Sequence, residues 1–227
     1  MRDIVSLYQD ELQDADIVIP VANSGNTYGE GAAMELKLPY IAALVKPPRG
    51  LSNLRSQRNF LTAKTEHAHK FYGEREVVDG KNIVLADDSF MRGHTLPQVY
   101  HDLKVTGAKK VVVLIAWPPT FFHCDYGIDI PRDEELAANK LIRLGLIRHT
   151  EGTPLTYDIH VVNKLITEEC RQLVRNQFSE INPEDLYIRF GTEEILRRHL
   201  SNVEKGICSY CRNGVVPGTN PGIETQL

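Results

Sequence analysis

No apolar stretch of this chain is long enough to cross a bilayer as a helix, which takes about 20 apolar residues in a row. The opening Met1-Arg2-Asp3-Ile4 lacks the basic-then-apolar pattern of a secretory signal, so the expected location is cytoplasmic, with no membrane partner. Positive charge is not in excess. There are 26 Lys and Arg against 30 Asp and Glu, a net charge of −4, which argues against nonspecific nucleic-acid binding. The chain has no internal repeat and no low-complexity tract, and no set of residues reads as a catalytic triad. Cysteine is scarce: Cys124, Cys170, Cys208 and Cys211 are all there are. In a cytosolic chain a pair spaced like Cys208 and Cys211 points to metal or redox chemistry.

What is there reads as an ordinary globular protein, 42% hydrophobic and 25% charged over 227 residues, enough for one large domain with or without an appendage. Apolar periodicity predicts helices over residues 3–13, 27–36, 96–105 and 164–176. Strands are predicted over 16–21, 40–45, 83–86 and 111–116. Strands alternating with helices predict an α/β fold, a parallel sheet covered by helices on both faces. Residues 46–79 are too long for a simple connection and read as a functional or flexible arm. Seven basic residues fall between Lys46 and Arg75, opposed by Glu66 and Glu74. That segment suits either a polyphosphate ligand or plain solvation.

The most telling run is 83–95. An apolar strand ends in Asp87-Asp88, a turn of small and polar residues follows, and a helix begins near Leu96 with Pro97 in its first turn. A strand leading into a helix N-terminus makes an anion cradle. Gly93 lets the backbone approach a ligand, Thr95 adds a hydroxyl and Arg92 a positive charge. Two ionised carboxylates suit sugar hydroxyls or a hard metal ion; the plain alternative is a turn or capping pair. Asn23-Ser24-Gly25 and Lys46 also fall at strand exits, where parallel sheets bind their ligands.

This run resembles the phosphoribosyl pyrophosphate (PRPP) signature of type I phosphoribosyltransferases. Its form Asp-Asp-Ser-x-x-Arg-Gly-x-Thr resembles that of the amidophosphoribosyltransferases. Ile17-Val18-Ile19-Pro20-Val21-Ala22-Asn23-Ser24-Gly25 is similar to that family's strand and pyrophosphate turn. Thr106-Gly107-Ala108-Lys109-Lys110-Val111 resembles the step into its next strand, and His123-Cys124-Asp125-Tyr126-Gly127-Ile128-Asp129 the segment beyond it. The likeness covers most of residues 1–140 and returns near 185–217.

The resemblance implies a type I phosphoribosyltransferase fold with a C-terminal cysteine-bearing appendage. The expected organisation is a core at 1–140, an inserted helical region and Cys-x-x-Cys segment at 141–217, and a disordered tail at 218–227. It also implies roles. Ser89, Arg92, Gly93, His94 and Thr95 would grip the 5′-phosphate, although His94 reads equally as a solvent-facing turn residue. Asn23, Ser24 and Gly25 would hold the pyrophosphate with Mg²⁺. Asp87 and Asp88 would face the ribose hydroxyls and, with Lys46 and Arg49 of the loop that folds over PRPP, form the catalytic set. That loop departs from the family: after Lys46 it reads Pro47-Pro48-Arg49-Gly50 rather than Asn-Arg-Tyr-Val.

The implied reaction displaces pyrophosphate from PRPP with ammonia or another small amine, in purine nucleotide synthesis. The chain begins without the cysteine nucleophile of a glutaminase half, so a separate glutaminase or amine-supplying enzyme is the expected partner, alongside self-association into a homo-oligomer. The alternative is a noncatalytic PRPP-binding regulator. For the cysteines, the resemblance implies a four-iron–four-sulfur cluster on Cys124, Cys208 and Cys211, with zinc as the other metal. Cys170 is either the fourth ligand or a buried structural thiol. Because no cysteine belongs to a phosphate-binding motif, the cluster is expected away from the PRPP loop.

Overall fold

A computed structural model describes residues 1–45, 70–71, 75–124, 132–200 and 208–215. In chain order the elements are α1 (Arg2–Leu7), α2 (Gln9–Leu12), β1 (Ile17–Pro20), α3 (Asn26–Leu36), β2 (Leu44–Val45), β3 (Lys70–Phe71) and α4 (Arg75–Val78). They continue with β4 (Asn82–Asp87), α5 (Leu96–Thr106), β5 (Lys110–Ile115), a 3₁₀ turn at Asp133–Glu135 and α6 (Ala137–Arg143). The last are α7 (Ile159–Gln177), β6 (Leu186–Phe190), α8 (Glu193–Leu200) and α9 (Tyr210–Asn213). Strands β1, β4, β5 and β6 form one parallel sheet in the order β1-β4-β5-β6.

The sheet shows the period of two that strands impose. Ile17, Ile19, Ile83, Leu85, Val111 and Val113 face a core shared with Val99 and Leu103 of α5 and Val162 and Ile166 of α7. Their neighbours Val18, Val84, Ala86, Val112 and Leu114 face Ile4 and Val5 of α1 and Ala32 and Ala33 of α3. Both faces are therefore covered, and the strands read as continuous apolar runs. The predicted fold class is the observed one.

Three details differ from the sequence reading. The helix over 3–13 breaks at Tyr8, whose backbone leaves helical geometry. Its hydroxyl donates to the Phe190 carbonyl at 2.6 Å. The strand over 40–45 is cut short. Tyr40 bridges Val18, then Ala43 N–H turns back to the Ile41 carbonyl, and only β2 pairs, with β3. The boundary at residue 140 is not respected by the core. Leu141, Val162 and Ile188 pack with Ile83 and Val113 in one cluster, and β6 is a strand of the main sheet.

Helix α7 does more than cover a face. Asp158 caps it by accepting from His160 N–H at 2.7 Å. Strand β6 is the sheet edge, and its outer backbone groups meet α7 side chains. Phe190 N–H donates to Asn163 Oδ1 at 3.2 Å, Ile188 N–H to Thr167 Oγ1 at 2.9 Å, and Arg171 Nε to the Leu186 carbonyl at 3.1 Å. The registers match physically: four helical residues advance about 6 Å and two strand residues about 6.6 Å. Residues 163, 167 and 171 thus meet 190, 188 and 186 in antiparallel order, and the edge is closed without another strand.

Candidate functional site

The C-terminal ends of β1 and β4 are neighbours, with Pro20 beside Ala86. The turn after β1 therefore meets the acid pair after β4. Val21 N–H donates to the Ala86 carbonyl at 2.8 Å. Ser24 Oγ donates to Asp87 Oδ1 at 2.8 Å. Gly25 is required by this approach, since a Cβ there would stand 2.2 Å from the Ala86 carbonyl oxygen. Two motifs 63 residues apart form one cleft edge.

Asp87 Oδ1 also accepts from Asp88 N–H at 2.9 Å, and Asp88 Oδ1 accepts from Ser89 N–H at 2.8 Å. Burial, and then the charge of Asp88, push the Asp87 carboxyl up to about 7 despite the Ser24 bond. A carboxyl poised there exchanges its proton at neutral pH.

Beyond the acids the chain turns through residues 89–95 into α5. None of the backbone N–H groups of residues 90–95 finds an acceptor among the described residues. Thr95 precedes α5 without using its hydroxyl as a cap. Gly93 takes φ +72°, and a Cβ there would stand 2.8 Å from the Phe90 ring. Free N–H groups, a left-handed glycine and a helix N-terminus together make an anion nest. His94 is exposed at its rim. Arg92 is mostly buried, its Nη2 pairs with Glu135 at 2.7 Å, and its Nε is buried with no hydrogen-bond partner among the described residues. Lys46 and Arg49 lie outside the described residues.

The cysteines divide. Cys170 lies in the main core on α7, and burial pushes its thiol up. Its Sγ is 3.8 Å from where a Gly93 Cβ would be. Cys211 is buried with Leu136, and Met91 and Cys124 pack on them; Cys124 and Cys208 are both within electrostatic reach of its thiol. Among the described residues no three His, Cys, Asp or Glu side chains come close enough to share a metal ion. A four-cysteine ligand set is therefore not assembled in this arrangement. The expectation that these thiols lie away from the PRPP loop is also corrected, because Met91 belongs to that loop.

Sequence reasoning missed a cluster around Arg212. This side chain is 4% exposed, pairs with Glu193 through Nε at 2.6 Å and Nη2 at 3.2 Å, and lies 5.0 Å over the Trp117 ring. No local pattern in the sequence joins these three positions.

No family model matches the chain. The amidophosphoribosyltransferase of Drosophila melanogaster is 36% identical over 156 residues, 66% of this chain and 28% of that protein. The amidophosphoribosyltransferase of Pyrococcus horikoshii is 36% identical over 137 residues, 59% of this chain and 29% of that protein. The chain thus spans less than a third of the length of these curated relatives. The structure of glutamine PRPP amidotransferase from B. subtilis, complexed with ADP and GMP, superposes with a TM-score of 0.60 at 26% identity, over 93% of this chain and 40% of that one. Over the part it shares with them, this chain is similar to the amidophosphoribosyltransferases, with a parallel sheet of the type I phosphoribosyltransferase kind.

Proposed function

We propose that the chain is a phosphoribosyltransferase that binds PRPP with Mg²⁺ and displaces its pyrophosphate with ammonia or another small amine. The observation that carries this is the run of unpaired N–H groups at 90–95, directly after two carboxylates and beside the Ser24 turn. In this reading the nest and Thr95 hold the 5′-phosphate. Asp87 and Asp88 accept from the ribose hydroxyls. Asn23, Ser24 and Gly25 face the pyrophosphate. Mg²⁺, arriving with PRPP, supplies neutralising charge for the leaving group, and the oxygen donors at this edge suit so hard an ion.

The nitrogen lone pair forms the new bond at the anomeric carbon. The bond to pyrophosphate breaks with its electron pair, and the surplus amine proton passes to solvent. Positioning and charge neutralisation carry the rate. The departure of the stretch after Lys46, Pro47-Pro48-Arg49-Gly50, from the family pattern favours the regulator as a second reading. Pyrophosphate release from PRPP, assayed anaerobically with ammonia and a panel of amines, decides between them. The enzyme reading expects release that rises with amine concentration. Tight PRPP binding with no release under any amine establishes the regulator.

For the thiols, only the resemblance supports an iron–sulfur or zinc site on Cys124, Cys208 and Cys211, since among the described residues no three such ligands lie close enough to share an ion. Anaerobically purified protein should then carry iron with sulfide, or zinc, and lose it in Cys208→Ser. Metal-free wild-type protein overturns this.

A further inference from the structure

A buried ion pair contributes little net stability, because desolvation offsets the attraction. Folding alone therefore gives a weak reason for Arg212 to be inside the protein, and its surroundings give another. Residues 116–122 leave β5 as a strap across the strand exits. On one side the strap holds the acid pair: Ala116 N–H donates to the Asp87 carbonyl at 3.0 Å and Trp117 N–H to the Asp88 carbonyl at 2.8 Å. On the other side it is held by the C-terminal segment, where the Cys211 carbonyl accepts from Phe121 N–H at 2.9 Å and Phe122 N–H at 3.0 Å. Arg212 joins the two by lying over the Trp117 ring. Its other partner, Glu193, opens α8 directly beyond β6, where Gly191 N–H donates to the Ile115 carbonyl at 2.7 Å. One guanidinium thus ties the exits of β4, β5 and β6. A planar fork suits this, since it engages a carboxylate at its edge and a ring at its face.

We propose that Arg212 is a positioning residue for the acid pair: clamped by Glu193 and stacked on Trp117, it fixes the Asp88 backbone and so sets the preference for a ribose over a 2-deoxyribose phosphate. This rests on the reading of Asp87 and Asp88 as the ribose-binding pair. Arg212 itself touches no ligand. Its loss should alter recognition of the sugar hydroxyls while leaving the phosphate nest intact.

The test is calorimetric titration of the full chain with ribose 5-phosphate, 2-deoxyribose 5-phosphate and inorganic phosphate. Wild type should favour ribose 5-phosphate over the deoxy sugar by roughly tenfold, the effect of leaving a carboxylate without its hydroxyl partner. In Arg212→Gln the ratio should fall to about twofold or less, with the affinity for inorganic phosphate unchanged. Arg212→Lys, which keeps the charge but not the fork, should lie between. Should Arg212→Gln fail to fold, Trp117→Leu removes the ring instead and should lose the same discrimination. A folded Arg212→Gln, or in its place Trp117→Leu, that keeps the wild-type ratio overturns the proposal. If wild type binds neither sugar phosphate, the PRPP reading itself fails first, and this inference falls with it.

Discussion

Asp87 concentrates the site's electrostatics in one carboxyl group. It is half-buried beside a second acid and receives one hydrogen bond from a distant turn. The sign of its linkage follows. Its carboxyl is raised from 3.8 to about 7 in the folded chain, so between those values the folded state holds a proton that the unfolded state has released. This contribution makes stability fall as pH rises through that window and levels off above it. Asp87→Asn removes the titration. The melting temperature of the variant relative to wild type should therefore climb by about 10 °C between pH 4 and pH 7 and level off above it. A difference independent of pH would contradict the assignment. The acid pair was legible in the sequence because it ends an apolar strand just before a Gly-x-Thr turn. The Ser24 bond was not, because it depends on β1 and β4 being neighbours. The pairing of Arg92 with Glu135 was hidden for a similar reason: local charge says nothing of a carboxylate 43 residues on.

At the scale of elements, α7 shows where reading by periodicity stops short. Its apolar positions predicted a helix, but Asn163 and Thr167 sit on the buried stripe and look like faults in it. They are the ladder that closes the β6 edge. Thr167→Val keeps the shape and strands the Ile188 N–H without its acceptor. It should cost about 1–3 kcal/mol, seen as a fall of about 3–9 °C in melting temperature with no change in the slope of denaturant unfolding. An unchanged melting temperature would mean that this ladder does not hold the edge. The break at Tyr8 escaped prediction for the same reason, its hydroxyl partner Phe190 lying far along the chain, whereas the strand after Tyr40 is cut by a local turn from Ala43 N–H to the Ile41 carbonyl.

For the whole molecule, what matters is that separate motifs reach one edge of one sheet. The turn after β1, the acid pair and nest after β4, the strap after β5 and the start of α8 after β6 are all strand exits, where a parallel sheet presents its ligand site. The sequence made the first two legible through their composition. The strap and Arg212 were not, since their roles exist only once β6 and the C-terminal segment are in place. The central claim is that this edge binds PRPP through the acid pair and the nest. Calorimetric titration with Mg²⁺–PRPP, of wild type and of the Asp87→Ala, Asp88→Ala double variant, tests it most directly. Saturable binding to wild type, weakened roughly a hundredfold or more in the double variant through loss of charged hydrogen bonds to the ribose, is the predicted result. Equal affinity in the two proteins would contradict it.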